Sequence, residues 1–507
     1  MVLYQRIESR KLQCPGYDKG LRWDQGVASR GKLKGQSQPV SKAVTQEPSC
    51  KVESRPTGQT LLSTIALGHS ASPCQNVVDA PLKKTQFEDY EIHRSFLAQS
   101  QTSMLRQERW LASQLVSSNM SCRLQNHYQD QVAPKLQWID APSNPWRAVL
   151  LPLSRSSAAL QFAILSFSAT HLYVTSMIRS QQSNDMHDLL CHLRLKATEN
   201  LNAQINRQLG QRYETTKPKA SPIIEIIATM LVLCHIEMLM PGSKDWTLHL
   251  RACREVCDHE RHSLHLSRVA EPIMDFFEKA LADLEAFESP SSFMLESDAS
   301  NCVLTQPAPR DRFWIFLAVV REVTFTERQR YTKSIQGRMN PEVDMRFWLD
   351  KVNRARSLAF SHPSFTLDSL QHLRGVFRMV ANAHYYAGLV YAYQALTPPT
   401  GDTYFVRSSV DSLFFELQSI VEGEKRNFDH DLFWPLFIAG TESGSDKHRQ
   451  GLVQRYYQHL MASTGFWCNA EALSFLEEYW AADMIPYDNW IRYARSRRTA
   501  NESFLVY

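Results

Sequence analysis

"SPIIEIIATMLVLCHIEMLMPGSKDWTLHLRACREV" occupies residues 221–256, and its reading decides the fold. Ser221 before Pro222 marks a helix start: a hydroxyl that can accept from free first-turn amides, then a ring whose fixed φ suits that turn. The apolar run that follows is too long for an ordinary strand. It also carries Glu225, His235 and Glu237, groups that a lipid-spanning helix tolerates poorly. A helix buried inside a protein is the better reading. Pro241 and Gly242 stop the run, and Ser243 caps a second helix over 244–261. Two helices joined by so short a break fold back as an antiparallel pair.

The same texture extends in both directions. Over 159–178, Leu160, Ile164, Phe167, His171, Val174 and Ile178 recur three or four residues apart and share one helical face. This run also holds Gln161 and several hydroxyl residues, so it too reads as buried rather than membrane-spanning. Further helices are predicted at 104–118, 186–208, 272–287, 312–328, 341–359, 367–396, 408–423, 448–463 and 469–481, many separated by proline or glycine. No fixed repeat period supports a solenoid. Residues 25–86 contain no Phe, Trp or Tyr and are rich in Ser, Gln, Pro, Gly and Lys. Such a stretch buries too little apolar area to offset its ordering entropy. The expectation is an all-α fold: a large multi-helix body over 88–507, preceded by a disordered arm over 25–87 and a short basic segment over 1–24.

The chain has 507 residues, 43% of them hydrophobic and 21% charged, with a net charge of +4. That charge alone argues for no particular partner. The basic residues cluster at the start, where Arg6, Arg10, Lys11, Lys19, Arg22, Arg30, Lys32 and Lys34 face only Glu8, Asp18 and Asp24. Such an end suits phosphate contacts or nuclear import, although a solvated tail is the commoner meaning. The ten cysteines are scattered without framework spacing, which reads as reduced thiols in an intracellular protein.

Catalytic patterns are missing: no phosphate loop, dinucleotide fingerprint, His-Glu-x-x-His or nucleophile elbow occurs. "GTESGS" at 440–445 has the letters of an elbow in the wrong order and reads as a helix end. His249, Cys253 and Cys257 share a face, with His259 and His262 nearby. The outer two of that trio lie about 12 Å apart along a helix, too far for one zinc ion. A buried face on which cysteine acts as a small apolar residue fits better. "DHD" at 429–431 reads as a solvated loop with a helix cap rather than an acid–base pair. The acidic stretch 274–288 reads as a surface helix whose Phe276, Phe277, Ala280, Leu281 and Leu284 face the core.

"CPGYDKGLRW" at 14–23 resembles the exit of the zinc binuclear cluster of fungal transcription factors, where the sixth cysteine precedes Pro-Gly-Tyr and then Leu-x-Trp. Cys14, Pro15, Gly16, Tyr17, Leu21 and Trp23 fill those places. The body agrees. In 128–172, Asn144, Pro145, Trp146, Arg147, Leu151 and Pro152 resemble the opening of the fungal-specific transcription factor regulatory domain. "WTLHLRACREV" at 246–256 is similar to a second motif of that domain through Trp246, His249 and Leu250, and departs from its small residues at Arg251, Ala252 and Cys253. "FWPLFIAGTES" at 433–443, with Trp434, Pro435 and Gly440, is similar to a third.

The resemblance implies a non-enzymatic nuclear regulator of RNA polymerase II transcription, controlling metabolic or secondary-metabolite genes. It implies a cluster of two zinc ions held by six thiolates, whose metal bonds supply the folding energy of a module without a core. Only Cys14 represents that set here, and Gln5, Arg6 and Ile7 stand where the fifth ligand is expected. A single thiolate holds neither ion, so no bound zinc is expected in the sequence as it stands, which reads as starting inside the cluster. Arg10, Lys11, Lys19 and Arg22 remain available for phosphate contacts that give affinity without sequence preference. Expected partners are promoter DNA once the cluster is complete, transcriptional cofactors or a related regulator, and a small-molecule effector, with no membrane. The other reading is a helical interaction or effector-sensing protein that acts with a related regulator and does not bind DNA.

Overall fold

Every regular element among the described residues is a helix. The computed structural model describes residues 118–176, 184–211, 220–263, 270–293, 314–362, 368–397, 403–423, 427–482, 489–497 and 503–507. The segments 1–24 and 25–87 and the helix predicted at 104–118, apart from its last residue, lie outside these residues.

The chain enters through α1 (Ser118–His127), which runs into a π turn (Tyr128–Val132) and a 3-10 turn (Ala133–Leu136). Two short helices follow, α2 (Pro145–Ala148) and α3 (Leu150–Ser154). Five long helices come next: α4 (Ala158–Ser176), α5 (Asn184–Gln211), α6 (Ala220–Leu239), α7 (Asp245–Ser263) and α8 (Ala270–Glu288). The second half contains α9 (Trp314–Ile335), α10 (Met345–Phe360), α11 (Arg374–Leu396), α12 (Thr403–Val421), α13 (Phe433–Thr441), α14 (Lys447–Thr464), α15 (Ala470–Ala481) and α16 (Trp490–Arg497).

The predicted pair around "MPG" is present: α6 packs on α7, Gly242 takes a positive φ of 70° in the turn, and Ser243 Oγ accepts from the Asp245 amide at 3.4 Å. The helix begins at Ala220, two residues before Pro222, within the usual spread of helix boundaries. α6 also packs on α4 and α8, which surround it with protein. Among the described residues two helices are long and apolar enough to cross a membrane, Ala158–Ser176 and Pro222–Leu239, and 67% and 94% of their apolar windows are buried inside this body. In the second half α11 is the hub, packing against α9, α10, α12 and α13. One apolar core runs through both halves, with a smaller satellite between α1, α4 and α5.

Ion pairs strap the helices together, and the first is bidentate, a geometry that adds direction to Coulomb attraction. Arg254 of α7 holds both Glu285 oxygens of α8 at 2.7 and 2.9 Å. Arg495 of α16 holds Glu327 of α9 at 2.7 and 2.8 Å. Arg194 of α5 pairs with Glu237 of α6. The tail 503–507 is drawn into the core: Ser291 Oγ donates to the Phe504 carbonyl at 2.6 Å, and Phe504, Leu505 and Val506 are buried. Asn469 then grips the Tyr507 backbone, donating to its carbonyl and accepting from its amide, both at 3.0 Å.

Three structural features depart from the sequence reading. The helix predicted over 367–396 is divided into a 3-10 turn (Asp368–Leu373) and α11. Helices α1 beyond Ser118, α2, α3, α13 and α16 have no counterpart among the predicted helices. "DHD" at 429–431 is a buried 3-10 turn instead of a solvated loop, its residues only 3, 9 and 8% exposed. The reason lies in groups distant in sequence that satisfy it, as described next.

Candidate functional site

The first sequence motif builds a polar corner. Asn144 caps α2, its Oδ1 accepting from the Trp146 amide at 2.9 Å, while Pro145 fills the first helical position where no amide donor is missed. Its Nδ2 donates to the Ala133 carbonyl at 3.0 Å and to Asp140 Oδ1 at 2.9 Å, so the buried carboxamide is satisfied on both ends. Arg147 closes the corner by pairing with Asp140. Tyr128 Oη donates to the Trp146 carbonyl at 3.0 Å. The Trp146 indole then sits edge-on to His235 of α6 and Phe276 of α8, with ring centres 4.7 and 5.2 Å away. The corner fixes where the chain enters the bundle.

The other two motifs are packing elements. Trp246 is buried, and its carbonyl accepts from the Cys234 thiol at 3.4 Å. His249 lies near the Arg194–Glu237 pair, and burial lowers its pKa. Trp434 packs edge-on to Tyr391 at 5.1 Å, and Pro435 follows in the first turn of α13. Gly440 is required by space: a Cβ there would lie 2.5 Å from Leu476 Cδ1. Its carbonyl accepts from Trp480 Nε1 at 2.9 Å. The stretch 440–445 does end a helix, α13, with Gly444 at a positive φ of 47°.

Between the corner and α13 lies a buried polar knot. His430 Nε2 donates to the Gln137 carbonyl at 3.1 Å, and His384 Nε2 of α11 donates to the Asp431 carbonyl at 2.7 Å. These bonds fix both rings as neutral Nε2–H tautomers, since burial lowers each pKa to about 4. Asp429 Oδ2 accepts from Ser463 Oγ of α14 at 2.8 Å. Burial, and then the neighbouring Asp429 carboxylate, raise the pKa of Asp431 well above the ordinary range, which favours its protonated form. Lys135 donates to the Gln131 carbonyl at 2.7 Å; burial lowers its pKa and Asp429 opposes that shift. On the far side His127 and His171 share a hydrogen bond of 3.0 Å, both with lowered pKa values because of burial. Gly465, the C-cap of α14 at φ 78°, brings the backbone against His171 and Val174.

Chemically this knot is a joint. It ties the loop after α1 to α4, α11 and α14 through neutral imidazoles and satisfied carbonyls, without the pairing of nucleophile and base that a catalytic site needs. Among the described residues no group of three or more His, Cys, Asp or Glu could hold a metal ion. Cys253 and Cys257 are buried and the Cys257 thiol is pushed well up, first by its hydrogen bond with Cys253 and then by burial. All six described cysteines are free thiols. In the acidic helix, Phe277, Ala280, Leu281 and Leu284 are buried and Phe276 packs on Trp146, so its apolar face is core. Cys14, Arg10, Lys11, Lys19 and Arg22 lie outside the described residues. The knot itself escaped sequence reading; its only local signal was two aspartates flanking a histidine.

Comparison with known families gives one match: the family described as Fungal specific transcription factor domain, over residues 123–312 and 349–501. No curated protein and no solved structure matches the chain significantly. The matched stretches cover more than half of the chain and contain the corner, the Trp246 motif and α13. The chain belongs to this family of fungal transcriptional regulators, a non-enzymatic class.

Proposed function

We propose that this member of the fungal-specific transcription factor domain family is a nuclear regulator of RNA polymerase II transcription, acting on metabolic or secondary-metabolite genes. The observation that carries the reading is the family match over 123–312 and 349–501, which encloses all three body motifs in order. In this reading residues 1–24 belong to the DNA-reading module, 25–87 are a linker, and the helical body over 88–507 serves regulation through cofactors, a related regulator or a small effector.

The metal question turns on donor chemistry. A two-zinc, six-thiolate group does not fit the single thiolate Cys14 within residues 1–24. Arg10, Lys11, Lys19 and Arg22 would add phosphate contacts, which position a protein without reading sequence. A second reading is that the body acts as a partner of a related regulator without contacting DNA itself.

Mapping the 5′ end of the transcript and measuring DNA binding by fluorescence anisotropy test both. Residues 1–507 should bind duplexes weakly, without site preference and with strong salt dependence. A product extended by five suitably spaced cysteines should select one site. Sharp site preference by residues 1–507 alone would contradict the coordination argument. Deletion of the gene with no change in any transcript would contradict the regulator reading.

A further inference from the structure

Helices α9 and α10 form a hairpin in whose tip every residue from Lys333 to Met339 is exposed. Ile335, Met339 and Phe347 are 63, 95 and 51% exposed there. Phe325 and Tyr331 are exposed on the same hairpin, and elsewhere among the described residues the exposed large apolar side chains are Tyr404 and Phe415 alone. Exposed apolar groups gathered in one place mark interaction surfaces more often than scattered ones do. Between the two helices lies a cleft of about 350 Å³, lined by Arg330, Lys333, Val343, Asp344, Phe347 and Trp348.

Charge says what fits the tip. Arg330, Lys333, Arg338 and Arg346 make no ion pair among the described residues. The tip's carboxylates are Glu342 and Asp344, and Asp344 already caps α10 by accepting from the Arg346 amide at 3.0 Å. The start of α10 adds its own partial positive charge. The family match stops at 312 and resumes at 349, so α9 and the tip lie between the two matched stretches, and α10 from 349 onward lies within the second.

We propose that the α9–α10 tip is a docking surface for an acidic amphipathic segment of a partner protein, a helix with apolar residues at i, i+3 or i+4 and i+7 flanked by Asp and Glu. Its apolar residues pack on Met339, Ile335 and Phe347, and its carboxylates pair with Lys333, Arg338 and Arg346, and with Arg330, which also donates to the Pro341 carbonyl at 2.6 Å. A second copy of this chain fits poorly, because a two-fold contact would set these cations against themselves. Nucleic acid would use the cations but leave Met339 and Phe347 without a role. The proposal concerns a partner of the body and does not depend on how DNA is read.

The test uses the full chain and a fluorescently labelled acidic amphipathic peptide of about twenty residues, enough for several helical turns. A scrambled peptide of the same composition, a random DNA duplex and sedimentation velocity accompany it. The ordered peptide should bind, and both Met339→Asp/Phe347→Ser and Lys333→Glu/Arg338→Glu should weaken it about tenfold or more. These exposed substitutions should leave the circular dichroism and melting temperature unchanged, and Phe415→Ser should leave binding intact. Equal binding of the scrambled peptide, or indifference to both double variants, would overturn the proposal. So would DNA displacing the peptide at physiological salt, or a dimer that Met339→Asp dissolves in the absence of peptide binding.

Discussion

Two stretches of this protein set tryptophan beside proline, and they are held by different physics. In the corner at 144–147, hydrogen bonds decide: Asn144 uses both ends of its carboxamide, and Arg147 closes on Asp140. In α13 every residue from Phe433 to Thr441 is buried, and volume decides. The first arrangement fails when a polar group loses its partner. The second fails when space is left empty or overfilled. A motif's letters do not tell these apart; the surroundings do.

Substitution at α13 should break the contrast hardest. Trp434→Ala removes a fully buried indole from Tyr391 and Phe437, and should cost about 4 kcal/mol in urea unfolding followed by circular dichroism. Gly440→Val drives a side chain into Leu476 and should cost about 3 kcal/mol, near the upper end for overpacking. In the corner, Asn144→Ala removes a cap and leaves the Ala133 carbonyl without its donor, while Asp140 keeps Arg147, for about 2 kcal/mol. Combining Trp434→Ala with Asn144→Ala should be additive to within about 0.5 kcal/mol, provided the two regions are independent. A larger coupling would mean that the knot between them transmits strain.

Acid sharpens the same comparison. His384 and His430 have folded pKa values lowered from 6.5 to about 4. Their neutral forms are favoured in the fold, so their contribution is fully present above pH 6.5 and is lost as the pH falls toward 4. Each should remove about 3 kcal/mol by pH 4 if it acts alone. The urea midpoint should therefore drop steadily between pH 6.5 and 4, and His384→Gln should flatten part of that slope. The smallest effect belongs to the hairpin tip, where Phe347→Ser should change stability by no more than about 0.5 kcal/mol.

The sequence was informative where periodicity or caps spoke. The face of Leu160, Ile164, Phe167, His171 and Val174 is buried as its spacing predicts, and the break at "MPG" folds α6 back on α7. α13 was hidden because a helix apolar on all sides has no period to detect. The knot was hidden for another reason. Asp429, His430 and Asp431 look like surface residues until the Gln137 carbonyl, 293 positions away, and His384, 47 away, are brought to them. Burial of a polar group depends on partners that only tertiary structure supplies. Exposure of Met339 and Phe347 escaped the pattern in the same way.

The central claim is that an all-helical regulatory body serves a gene regulator whose DNA-reading module includes Cys14. Genome-wide chromatin occupancy of the tagged product that carries all six cluster cysteines, with and without Cys14→Ala, tests it most directly. The account predicts discrete promoter peaks that disappear in the variant while protein abundance holds. Peaks unchanged by Cys14→Ala, or no promoter occupancy at all, would contradict it.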